Sequence, residues 1–133
     1  KAFAMVTHDY NPAHLDAEYA ADSAFKKIIV HGMWAAGLVS ALLGTKFPGL
    51  GTIYLSQSLS FRRPVYVDDT LTATLTVKSK NDEKKWVTLT CEVTNQEGKA
   101  VVTGEAQVIP PTTKTSREVT ALTDLTLTQT FSQ

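Results

Sequence analysis

At 133 residues, 43% of them hydrophobic, the chain has the size of one domain with a single core. Acidic and basic residues balance at 13 each without a basic cluster, which argues against nucleic acid as the main partner. The single cysteine excludes an internal disulfide and fits a reducing, cytoplasmic setting; no apolar stretch is long enough for a bilayer and no signal-peptide pattern is visible.

Residues 1–7 are small and apolar and read as the end of a helix. Asp9-Tyr10-Asn11-Pro12-Ala13-His14 follows as a shaped loop, because Pro12 fixes its own φ and pushes Asn11 away from helical geometry. Leu15 to Ala24 is rich in alanine and suits a short helix, and Ile28-Ile29-Val30 is a brief apolar approach to His31. From Gly32 to Leu43 there is almost no polar face, so a helix buried on nearly all sides is expected, with Gly44 as its stop. The rest reads as strands. Thr52–Phe61 is the first. Residues 65–79 alternate Leu71, Ala73, Leu75 and Val77 with threonines, 86–94 alternate again, and 100–109 form another strand. Asn81-Asp82-Glu83 and Asn95-Gln96-Glu97-Gly98 are the turns between them, and Cys91 falls on the apolar side of its strand, as core. The fold class is therefore α+β, an antiparallel sheet wrapped around a long buried central helix: the hotdog arrangement.

The chemistry-bearing residues concentrate in the first loop. A carboxylate and an imidazole sharing one water are a minimal apparatus for general acid–base work, and the stiffened loop can turn Asp9 and His14 toward one point. On local spacing alone a plainer reading stands beside it, with Asp9 and Asn11 as turn formers and His14 opening the next helix. The three histidines are scattered and show no zinc spacing, so no metal site is expected. His31 reads as a helix cap or supporting residue, and His8 as an exposed loop residue.

The D-x-N-P-x-H loop, a helix, then His31-Gly32-Met33, together with Pro48-Gly49-Leu50-Gly51, Gln57-Ser58-Leu59-Ser60-Phe61 and Arg63-Pro64-Val65, resemble the MaoC-like hydratases, in particular the (R)-specific enoyl-CoA hydratases, over roughly residues 1–110. The chain departs from that pattern with His8 before the aspartate, Ala13 between Pro12 and His14, and Asp68 where the family often has glycine before an aspartate. The resemblance implies a hotdog fold, a homodimer, and a lyase that adds water to a trans-2-enoyl-CoA to give the (R)-3-hydroxyacyl-CoA. It implies no cofactor beyond the coenzyme A of the substrate. In that reaction Asp9 and His14 activate one water and protonate the α-carbon; either is open as the formal base. The Gly32 N–H, at the start of the buried helix, suits the developing thioester enolate, since helix N-termini carry unpaired donors and a glycine admits close approach. Asn11 and His31 support the loop. By the resemblance Ser40, the isolated hydroxyl of the apolar helix, lines the acyl pocket, with Leu43 near the same helical face.

Two alternatives stay open: a 3-hydroxyacyl-thioester dehydratase working on acyl carrier protein, and a non-catalytic acyl-binding hotdog module. A thioesterase on this fold is disfavoured, because both proposed reacting groups precede the buried helix. One domain spans 1–133, with 1–110 as its body and 111–118 as a polar, linker-like stretch. Residues 119–133 contain the alternating Leu125, Leu127, Gln129 and Phe131 and suggest the opening strand of the fold, displaced to the end by circular permutation. A fragment of a tandem array would give the same order, and a flexible tail is the third reading.

Overall fold

The computed structural model describes residues 1–118, and over these the chain is an α+β hotdog; the segment expected to form the opening strand, 119–133, lies outside the described residues. In chain order come α1 (Ala2–Thr7), a 3₁₀ turn (Pro12–His14), α2 (Ala17–Asp22), α3 (Gly32–Thr45), β1 (Ile53–Phe61), β2 (Thr72–Asn81), β3 (Trp86–Thr94) and β4 (Ala100–Ile109). Among the described residues four strands form one antiparallel sheet in the order β1-β4-β3-β2, so that β3 and β4 are each paired on both sides.

Local sequence explains the boundaries. His8 ends α1 by taking the left-handed conformation, φ 60°, which uncouples the next loop from the helix axis. Asp16 starts α2 because its carboxylate accepts from the Glu18 and Tyr19 amides at 2.9 and 3.1 Å. The helix expected over 15–24 is therefore shorter, since Leu15 still closes the preceding 3₁₀ turn. Gly44 does not stop α3. The helix runs on through Thr45, whose hydroxyl donates back to the Ala41 carbonyl at 2.7 Å, and ends at Lys46, just ahead of Phe47-Pro48.

The core lies between α3 and the inner face of the sheet. Ala35, Val39 and Leu43 of the helix meet Leu89, Cys91 and Val93 of β3 and Val102, Ala106 and Val108 of β4. The alternation read from 86–94 is thus the inward face of a central strand. The helix is not buried on nearly all sides, however. Only one stripe of it faces the sheet, while Met33 is 58% and Trp34 42% exposed. The strand expected over 65–79 begins only at Thr72. Pro64 cannot donate to a ladder, and Asp68 takes a left-handed φ of 71°, so residues 62–71 become a loop. That loop is pinned by Val65, which is buried, and by Asp69, whose carboxylate accepts from the Tyr66 amide and the Gln96 side chain, each at 2.8 Å. Those two donors, the Tyr66 amide first, hold the Asp69 carboxyl below the usual carboxylate range.

Candidate active site

The Asp9–His14 loop is laced to the segment before α3 by backbone groups. The Asn11 side chain accepts from the Ala13 amide at 3.0 Å and so caps the 3₁₀ turn, while its own amide donates to the Asp9 carboxylate at 3.3 Å. Ile29 donates its N–H to the Ala13 carbonyl at 3.2 Å, and Val30 donates to Val65 at 2.7 Å, which ties the loop to the 62–71 segment. Across this lacing the two histidines trade contacts. His14 Nδ1 bonds the Ile29 carbonyl at 2.8 Å, and His31 Nε2 bonds the Asp9 carbonyl at 2.9 Å. A carbonyl only accepts, so each of these nitrogens carries the hydrogen. For neutral His14 that leaves Nε2 with a lone pair.

His14 and His31 stack, ring centroids 3.9 Å apart and planes inclined by 27°, and Phe3 packs on the other ring at 5.0 Å. His31 is buried, His14 half-buried and Asp9 exposed. One side-chain atom from each lies within 4.8 Å of the others. Two hydrogen bonds of about 2.8 Å meeting at a bent angle span a gap of that size. Two of the ring nitrogens, His14 Nδ1 and His31 Nε2, are already engaged by main-chain carbonyls. His31 also occupies the N-cap position of α3 without making a side-chain cap bond; its role is to hold the Asp9 main chain and to back the His14 ring.

These groups open on a cavity of about 530 Å³, whose apolar walls include Phe25, Ile29, Met33, Phe61 and Val65. Gly32 sits in its wall as the first residue of α3, and among the described residues its N–H has no acceptor. A Cβ at Gly32 would stand 2.8 Å from the Phe61 ring, so only glycine lets that ring lie against the helix start. Asp9, His14, Asn11, Gly32 and His31 thus come together. Ser40 and Leu43 do not join them. Ser40 lines a separate groove between α3 and β1 with Tyr54, Leu55 and Leu59, and Leu43 is fully buried in the core. His8 is exposed, as expected. The site residues missing from the sequence reading are the Ile29 carbonyl and Phe61. Main-chain acceptors leave no mark in a residue pattern, and Phe61 reads there as the end of a strand.

Comparisons with known proteins match this geometry. Residues 1–99 match the family model described as MaoC like domain. The chain is 50% identical over 110 residues to the (R)-specific enoyl-CoA hydratase of Aeromonas caviae, covering 83% of this chain and 82% of that one. It is also 50% identical over 111 residues to the (R)-specific enoyl-CoA hydratase of Rhodospirillum rubrum, covering 82% and 75% of the two chains. Among solved structures, an R-hydratase from Pseudomonas aeruginosa in the unliganded form superposes with a TM-score of 0.88 at 46% identity, covering 94% of this chain and 80% of that one. With three quarters of its length inside the family model and its loop, helix and sheet in the hydratase arrangement, the chain belongs to the MaoC-like domain family.

Proposed function

We propose that the protein is an (R)-specific enoyl-CoA hydratase, a hydro-lyase that adds water to a trans-2-enoyl-CoA and yields the (R)-3-hydroxyacyl-CoA. The observation that carries this reading is the convergence of the Asp9 carboxylate and the His14 ring, within 4.8 Å, at a cavity that also presents the Gly32 amide, which has no acceptor among the described residues. The stereochemistry and the coenzyme A thioester come from the relatives' names.

In this reading the enoyl thioester enters with its carbonyl oxygen on the Gly32 N–H. That donor sits at the positive end of α3, where enolate charge develops. Asp9 and His14 hold one water over the β-carbon. One of the pair takes a proton from the water as it attacks, and a proton is delivered to the α-carbon on the same face. The Ile29 carbonyl on His14 Nδ1 fixes the tautomer whose Nε2 accepts a proton. No cofactor enters these steps beyond the coenzyme A carried by the substrate. The acyl chain lies along Met33 and Phe61, and a chain that passes Met33 reaches the groove where Ser40 stands, since Met33 lines both spaces.

Adding the protein to crotonyl-CoA should abolish the enoyl-thioester absorbance, and an (R)-specific dehydrogenase should consume the product. No absorbance change with chains of four to eight carbons would refute the assignment. The same chemistry run in reverse on an acyl carrier protein thioester is the second reading, favoured by a relative at 36% identity named as a mitochondrial 3-hydroxyacyl-[acyl-carrier-protein] dehydratase from Arabidopsis thaliana. A purely acyl-binding module would have no use for the converging acid and base.

The protein acts as a homodimer in this proposal. Among the described residues, Met33 and Trp34 on the outer face of α3 and Ile53 and Phe61 on β1 stay exposed in one copy, and β1 has a strand partner on one side only; such a face suits a second copy of the chain. Sedimentation as a monomer at micromolar concentration would remove that part. Among the described residues no helix is long and apolar enough to cross a membrane; we place the protein in the cytoplasm, which cell fractionation tests.

A further inference from the structure

Arg62 and Arg63 line the same cavity as Asp9 and His14, and the lining contains one carboxylate, Asp9, against these two guanidinium groups. Neither arginine forms an ion pair among the described residues. Both are nevertheless held in place. Their amides reach the Val101 carbonyl at 2.8 and 3.4 Å, Arg62 Nε donates to the Thr103 hydroxyl at 2.9 Å, and one Nη of Arg63 donates to the Ala100 carbonyl at 2.7 Å. Among the described residues each guanidinium has a single tether, which leaves its other N–H groups for solvent or a ligand. Two adjacent, always-charged, pre-positioned forks at the edge of an apolar cavity do nothing for an acyl chain. They suit phosphate oxygens, which accept paired N–H bonds from a guanidinium.

We infer that Arg62 and Arg63 bind the phosphate groups of the phosphopantetheine carrier that delivers the thioester, and thereby select phosphate-bearing substrates. The inference rests on the hydratase reading and extends it from the reacting end of the substrate to its handle. Coenzyme A and a phosphopantetheinylated carrier protein share this chemistry, with more phosphate on the former.

The test compares crotonyl-CoA, crotonyl-acyl carrier protein and the phosphate-free crotonyl-N-acetylcysteamine thioester. The readout is the ratio of kcat/KM for each phosphate-bearing substrate to that for the phosphate-free one. In the double variant Arg62→Ala, Arg63→Ala the ratio should fall by about 10- to 100-fold, through KM rather than kcat. A fall confined to crotonyl-CoA identifies coenzyme A as the carrier, and a fall confined to the protein thioester identifies the carrier protein. A ratio that stays within twofold for both overturns the inference. The unmodified protein gives an independent arm should the variant not fold. Its KM for the phosphate-bearing substrate should rise steeply between 20 and 300 mM salt while that for the phosphate-free thioester stays level. Parallel salt curves overturn the inference. Absence of turnover with every thioester by the unmodified protein would instead refute the hydratase reading.

Discussion

The β3–β4 centre of the sheet and the Asp9–His14 loop are held by different means, and two glycines show it. At the sheet centre, Gly104 lies where a Cβ would stand 1.9 Å from the Ser58 carbonyl oxygen on β1. The obstacle is backbone in a hydrogen-bonded ladder, and it cannot move without parting two strands. At the site, Gly32 meets the side chain of Phe61, a residue that is 54% exposed and whose ring has room to swing. One region is fixed by close packing of main chain and buried side chains. The other is fixed by hydrogen bonds from side chains to carbonyls around half-open space. Damage to the first should be read in stability, and damage to the second in turnover.

The largest effect should come from the loop. Asp9→Asn and His14→Ala should each lower kcat by about 10³ or more, roughly 4 kcal/mol in the barrier, with thermal unfolding nearly unchanged. Comparable turnover with crotonyl-CoA would break the assignment of the reacting pair. Next comes Gly104→Ala, which overpacks the β1–β4 ladder and should cost about 3 kcal/mol in urea unfolding, while the folded fraction keeps its kcat. Gly32→Ala should do the reverse: Phe61 yields, the fold survives, and kcat/KM falls about tenfold, near 1.4 kcal/mol, as the ring and the added methyl crowd the thioester carbonyl. A variant Gly32→Ala that unfolds would erase the contrast between the two glycines.

Two smaller predictions concern the 62–71 loop that joins the regions. The carboxyl of Asp69 is held below the ordinary aspartate value of 3.8, by the Tyr66 amide and then by Gln96. Its contribution to stability is therefore fully present above that ordinary value and is lost as pH falls through the lowered native one. Asp69→Asn should flatten the acid limb of the stability curve below about pH 5, and an unaltered limb would show that the loop is held by something else. Asp68→Gly relieves a left-handed residue and should add about 0.5 kcal/mol, measured as a small rise in the urea midpoint.

The sequence made the meeting of Asp9 and His14 legible because Asn11-Pro12 leaves few conformations between them, and His31-Gly32 marks the start of a helix whose apolarity is plain. It made the inner strands legible because β3 and β4 bury one face and alternate accordingly. It was weaker wherever the partner of an apolar surface had to be known. Composition alone says that α3 prefers burial on all sides, yet Met33 and Trp34 face outward, and Ser40 opens into a groove apart from Asp9. Leu43, four residues short of Phe47, belongs to the core for the same reason that Val39 does: both fall on the one stripe that meets the sheet. The loop at 62–71 escaped because Val65 and Val67 share the odd-numbered apolar register of Leu71 to Val77 on paper, although Asp69 interrupts it. Pro64 and the turn at Asp68 end it in space.

Cys91 gives the molecule a built-in clock. It is the one cysteine in the sequence, it sits 1% exposed on β3 between Leu75 of β2 and Gly104 of β4, and burial pushes its thiol up from the ordinary value. A reagent that needs the thiolate must wait until the middle of the sheet comes apart. The rate at which an alkylating dye attaches to the unmodified chain therefore counts openings of the sheet one molecule at a time, with no label engineered and no change to the Asp9–His14 loop.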